Sequence, residues 1–416
     1  MKRFLKTSLC LLLALLCAGL SAVAGATAYY SRRGDAAWYE QVLQDGVMNA
    51  GNNLRLKEVV RRAGEGESIT VATIGGSITE GAGAKSYAGC YASRFVREFA
   101  RLYGADEGKN VQLVNAGVGG TGSPFGLMRY DRDVTARVTD EDGLADLVVI
   151  EFSVNDYQEP TRHRAFESLV KKVLEQPNRP AVILLFAVFK NGFNLQTDLR
   201  KIGDAYDLMM VSVKDAVYPH IGKEWTSEEF FSDEYHPTSL GHGVMADCLL
   251  AGVRTALAAE DSAEDISPDI KPVYGTEYTE LRTVYGDSEG GDHTLVRGGF
   301  AQDDASSYKN LPVGRVCGKN FAHTPADSDE PLVFKATFSK LLIAWRSVAG
   351  STYGEAEVLV DGKSMKKLKG NSGSWGQSEV ALVWDLRKSG EHTVEIRMTE
   401  GNEKKRFTVT AIGYAP

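Results

Sequence analysis

Short apolar runs and longer amphipathic stretches take turns along the N-terminal part of this chain. Ile69-Thr70-Val71-Ala72-Thr73-Ile74 is β-branched, too short for a helix and closed by two glycines. It predicts a buried strand that ends in a sharp turn. Further strands are predicted at 111–115, 147–152, 181–188 and near 208–213. Between the first two, Tyr91, Phe95, Phe99 and Leu102 share one helical face, and helices follow around 124–138, at 164–174, near 199–206 and at 240–257. Two short helices, carrying Trp38, Tyr39, Val42, Leu43 and then Leu54, Leu56, Val59, Val60, precede them. Continuous apolar strands alternating with amphipathic helices imply an α/β domain, a doubly wound parallel sheet covered on both faces, spanning 35–258.

The stretch 259–272 breaks this rhythm with Glu260, Asp261, Glu264, Asp265, Asp269 and two prolines, and it reads as a charged linker. Beyond it the period becomes two. Short alternating segments at 332–338, 341–346, 356–360, 380–384, 392–398 and 407–412 are punctuated by Asp361-Gly362, Gly370, Gly373 and Gly390. They predict a C-terminal antiparallel β-sandwich of jelly-roll type over 273–416. A chain of 416 residues exceeds what one hydrophobic core usually serves, in keeping with two domains.

Lys2, Arg3 and Lys6 precede an apolar run at 9–23, with small residues at Ala22, Ala24, Ala26 and Ala28. This reads as a secretory signal peptide over 1–28, with an uncleaved membrane anchor as the alternative. A cleaved leader implies a secreted or cell-surface protein with no stable membrane insertion. The net charge of −8 becomes more negative once the leader's cations leave. An acidic chain without clustered Lys and Arg argues against nucleic acid and anionic membranes as partners. Cys10 and Cys17 fall in the leader, while Cys90, Cys248 and Cys317 form neither a disulfide framework nor metal-ligand spacing.

Four separated segments carry candidate chemistry: Gly75-Gly76-Ser77-Ile78-Thr79, Asn115-Ala116-Gly117-Val118-Gly119-Gly120, Val154-Asn155-Asp156 and Asp233-Glu234-Tyr235-His236-Pro237. Acyl transfer needs a hydroxyl nucleophile, a base, a group that orients the base, and donors for the oxyanion. Ser77 follows a strand end, where a parallel sheet presents residues to its cleft. Asp233 and His236 are three residues apart, close enough for the carboxylate to hold Nδ1–H while Nε2 faces Ser77. The glycines of the second segment and the amide of Asn155 are candidate oxyanion donors. His242 is the weaker candidate base, since it falls within the last helix. Such chemistry calls for no metal and no organic cofactor.

In their order, the four segments resemble the blocks of the SGNH hydrolase, or GDSL-like esterase, superfamily, and the resemblance covers roughly 50–258. It implies a flavodoxin-like sheet, Ser77 as nucleophile, Asp233 and His236 as its catalytic partners, and an oxyanion hole of Ser77, Gly120 and Asn155. Two departures are visible: Gly75-Gly76-Ser77-Ile78 stands where Gly-Asp-Ser-Leu is usual, and Ser153 stands where the third block usually has glycine. The Gly-Gly-Ser form resembles the bacterial carbohydrate-esterase branch. The implied substrate is an acetylated oligo- or polysaccharide. The alternatives are a glycan or peptidoglycan O-acetyltransferase and a non-catalytic carbohydrate-binding protein. Candidate substrate contacts are Tyr157, beside the third block, and Trp375, in a glycine-rich loop of the sandwich; Trp345 and Trp384, at alternating strand positions, are expected in its core.

Overall fold

Every residue of Ile69–Gly75, Leu147–Glu151, Ala181–Phe186 and Met209–Ser212 is buried. Their side chains alternate between two cores: Leu147, Val149, Ile183 and Leu185 enter one, Val148, Ile150, Leu184 and Phe186 the other. That two-sided burial is why these segments read as unbroken apolar runs. The computed structural model describes residues 36–140, 142–267, 269–306, 318–373 and 376–416. The leader reading at 1–28, Cys317 and Trp375 lie outside the described residues.

Among the described residues the first sheet has six strands: β1 (Val47–Asn49), β2 (Ile69–Gly75), β3 (Val111–Gly117), β4 (Leu147–Glu151), β5 (Ala181–Phe186) and β6 (Met209–Ser212). They are ordered β1-β6-β5-β4-β2-β3. Strands β2 to β6 are parallel, whereas β1 pairs antiparallel with β6 at the edge. The expected parallel sheet is therefore mixed at one margin. Three half-buried residues gave no periodic signal for β1. Helices Leu54–Glu65, Tyr91–Tyr103 and Ser239–Ala258 cover one face, and Ser123–Asp133, Arg164–Leu174 and Gln196–Ala205 the other. The chain leaves β2 towards β3 on one side and later returns to place β4 on the other. A crevice between such strands, outside their carboxyl ends, is where doubly wound sheets bind ligands.

The second sheet is wholly antiparallel: β7 (Arg282–Val284), β8 (His293–Val296), β9 (Phe321–His323), β10 (Leu332–Ser347), β11 (Glu355–Val360), β12 (Lys363–Lys369), β13 (Gln377–Met398) and β14 (Phe407–Ala415). The segments expected at 332–338 and 341–346 are one strand, β10, whose register shifts between Phe338 and Lys340 and again between Leu341 and Leu342. Bulges of this kind bend a long strand around a shared core. β13 likewise unites two expected strands. β12 went unrecognised because it is an edge strand with four lysines and only Leu368 buried, a pattern that protects edges but carries no apolar period. Trp345 and Trp384 pack against the core, as expected, and Tyr353 is buried.

The two sheets are joined through packed surface. Leu342, Ala344, Ala411 and Ala415 share a hydrophobic cluster with Phe125, Met128 and Phe166 of the first domain. Arg164 pairs with Asp385 at 2.8 Å and Arg132 with Asp287 at 2.9 Å. The buried Glu167 carboxylate accepts the N–H groups of Val273, Tyr274 and Gly275 at 2.6–2.9 Å. The acidic stretch before them is strapped down as well, by Arg55 to Asp265 and Asn53 to Ser262. No helix among the described residues is long and apolar enough to cross a membrane.

Candidate active site

Ser77 opens a single helical turn, Ser77–Glu80, directly after β2. Its Oγ lies 2.9 Å from His236 Nε2. On the other side of the imidazole, His236 Nδ1 lies 2.8 Å from Asp233 Oδ2 and 3.0 Å from Oδ1. Asp233 Oδ1 also accepts the backbone N–H groups of Tyr235 and His236, at 2.7 and 2.9 Å. Burial pushes the Asp233 pKa up, but the hydrogen bonds from the His236 ring and these two amides outweigh it and hold the carboxylate below its usual range. An anionic Asp233 accepts Nδ1–H and leaves Nε2 free to accept from the serine hydroxyl.

The other two segments reach the same rim. Gly76 packs directly on the Asn155 side chain: a β-carbon there would lie 2.2 Å from Asn155 Oδ1. Asn155 follows β4, whose Glu151 pairs with Gly75 of β2. In the second segment Gly120 is exposed at the loop tip and adopts φ +68°, a conformation suited to glycine. The loop is anchored to the Ser77 segment by Val118 N–H to Gly75 O at 3.0 Å and Gly119 N–H to Glu80 Oε2 at 2.6 Å. Asn115 adds a bond from Nδ2 to Thr79 O at 2.8 Å. Ser77, Asp233 and His236 are thus joined by hydrogen bonds, while Asn155 and Gly120 sit on loops fastened to the residues beside Ser77.

Residues 73–244 match the GDSL-like lipase/acylhydrolase family. That match lies within the α/β domain. Across both sheets, the structure resembles a two-domain esterase active on acetylated mannans, solved alone and with mannopentaose. Identity to each is 26% with a TM-score of 0.75, over 90% of this chain and 97% or 98% of the other. No curated protein matches the chain.

Buried ionisable groups beneath the site hold its segments together, and sequence reasoning passed over them. Arg129, fully buried, donates to Ala116 O at 2.6 Å and Gly75 O at 3.1 Å, clamping the ends of β3 and β2, and pairs with Asp133 at 3.1 Å. Glu151, also fully buried, takes Thr79 Oγ at 3.2 Å, and Ser153 Oγ lies 3.4 Å from its other oxygen. Burial pushes the Glu151 carboxyl up to about 7, against these bonds and those of the Ser153 and Gly76 amides. Ser153 Oγ also lies 3.1 Å from Ala187 O, so its hydroxyl ties the third segment to the loop after β5. Asp156 accepts the Ser123 N–H at 2.7 Å and fixes the same turn from the other side. Arg129 shares its helix with Asp131, Arg132 and Asp133, so nothing in the sequence set it apart.

His242 is fully buried, its Nδ1 accepting from Tyr91 N–H at 3.2 Å and its Nε2 donating to Ala82 O at 2.9 Å. Burial lowers its pKa to about 4, so it stays neutral, with both ring nitrogens engaged by backbone groups. Cys90 and Cys248 are free and buried. Tyr157 stands on the same rim, 62% exposed.

Proposed function

We propose that this chain is a secreted serine esterase that removes O-acetyl groups from carbohydrate through an acyl-enzyme. The reading rests on the 2.9 Å approach of Ser77 Oγ to His236 Nε2. Ser77 attacks the ester carbonyl as its proton passes to Nε2, and Asp233 stabilises the imidazolium that results. The tetrahedral oxyanion is held by the N–H groups of Ser77 and Gly120 and by the Asn155 amide. Its collapse breaks the C–O bond to the sugar, and the departing hydroxyl takes the proton from His236. Water, deprotonated by the same imidazole, then attacks the acetyl-enzyme and releases acetate with Ser77 restored.

The likeness across both sheets to an esterase active on acetylated mannans supports a carbohydrate ester as substrate, and the charged-then-apolar leader supports export. Mass spectrometry of acetate released from acetylated xylan, mannan and peptidoglycan, with Ser77→Ala alongside, tests the reaction. Loss of release in the variant is expected; undiminished release would refute the mechanism. Acetyl transfer to added sugar outrunning release of acetate would identify a transferase instead.

A further inference from the structure

Five rings follow one another along the rim of the site. From His236 the path runs to Tyr235 (6.2 Å between centroids), Phe189 (5.2 Å), Phe193 (6.0 Å) and Tyr157 (5.6 Å). Tyr235 and Tyr157, the first and last of the four rings beyond His236, are 57% and 62% exposed, among the most exposed large apolar side chains described. The phenylalanines between them are half-buried.

Three different loops supply these rings, and the backbone fastens the loops together. Lys190 N–H donates to Glu234 O at 3.2 Å, joining the phenylalanine loop to that of Tyr235 and His236. Leu195 N–H donates to Ser153 O at 2.8 Å, joining it to the segment that carries Asn155 and Tyr157. Phe189 N–H to Phe193 O and Gly192 N–H to Phe189 O close the loop on itself. Rings held this way need no further ordering when a ligand arrives, which lowers the cost of binding. Exposed apolar ridges are uncommon on soluble proteins unless something binds there.

We infer that this aromatic ridge is a track for a linear glycan, carrying several sugar units outward from the acetylated one at Ser77. The inference rests on the carbohydrate-ester reading and extends it to a polymeric substrate. The ridge is a single file of rings, which suits a narrow chain with apolar C–H faces, and its end rings carry hydroxyls for the sugar's polar edge. Lys190, between the two phenylalanines, lies 3.5–3.6 Å from Glu234 and Glu228, which counter its charge and favour a neutral polymer over an anionic one.

Calorimetric titration with unacetylated β-linked xylo- or mannooligosaccharides, from disaccharide to hexaose, tests the track without requiring turnover. Affinity is expected to rise with chain length for one of the series. Tyr157→Ala is expected to weaken hexaose binding about tenfold, the scale of one lost stacking contact, and to leave the disaccharide nearly unaffected. Tyr235→Ala, next to His236, weakens both. In turnover, the ratio of kcat/KM for acetylated hexaose to that for an aryl acetate falls to a similar extent in Tyr157→Ala. No binding of any hexaose, equal affinity for disaccharide and hexaose, or a Tyr157→Ala enzyme that binds hexaose like the parent would each overturn the track. Length-dependent binding with no release of acetate would leave the track standing and refute the esterase reading alone.

Discussion

Gly76 and the Asn155 amide occupy adjoining space so closely that a methyl group on Gly76 would lie 2.2 Å from Oδ1 and 2.8 Å from Nδ2. The residue before Ser77 therefore sets where the Asn155 amide points. Gly76→Ala is expected to displace that amide and lower kcat by about 10²–10³, the usual cost of one oxyanion donor. Asn155→Ala should cost the same, with little change in KM. Because both changes remove one interaction, the double variant should be hardly worse than either single one. Additive losses in steady-state kinetics would show that the glycine acts through something else.

Asp233 presents a carboxylate that is half exposed, at 50% of its side-chain surface. Solvent can partly substitute for it, so Asp233→Asn is expected to reduce kcat by about 10²-fold, less than the ~10⁴ typical of a buried aspartate in this role. Its lowered pKa also works on folding: the contribution to stability is present above the ordinary carboxylate pKa and is lost as pH falls through the native value. Comparing kcat and acid denaturation in the variant separates the two effects.

Glu151 works with the opposite sign. Its native pKa of about 7 lies above the ordinary 4.5, so between these values the folded chain holds a proton that the unfolded chain releases. Stability should fall as pH rises through that window, by on the order of 3 kcal/mol, and level off above it. Glu151→Gln removes the titration. Denaturant midpoints across the window should be flatter in the variant, and an unchanged slope would point to another group.

Arg129 and Asp133 form an ion pair shut away from solvent, with side-chain exposures of 0% and 2%. Arg129→Ala leaves a buried carboxylate alone and two strand-end carbonyls without their donor, so a loss of about 3–5 kcal/mol is expected. A thermal melt that stays within a degree or two of the parent would be incompatible with the clamp.

The central strands and covering helices were legible because both faces of the sheet are buried and the apolar runs are continuous. The segments bearing Ser77, Gly120, Asn155 and His236 were legible because each follows a strand end or shares one short loop. Arg129, Glu151 and Glu80 were not, since their partners are backbone groups or side chains brought near only by folding, and in the chain they look like ordinary helix or strand residues. β1 and β12 escaped for a related reason: an edge strand is defined by its neighbour, and neither has a buried face long enough to set a period. The ridge from Tyr235 to Tyr157 combines three loops, so no local pattern announces it.

Leu342, Ala344, Ala411 and Ala415 complete a core whose larger share belongs to the hydrolase half. A shortened version ending after Ala258 would bare the oily side of helix Ser123–Asp133 and strip Glu167 of three donors. Such a fragment should clump when expressed, and the intact molecule should melt in one cooperative step.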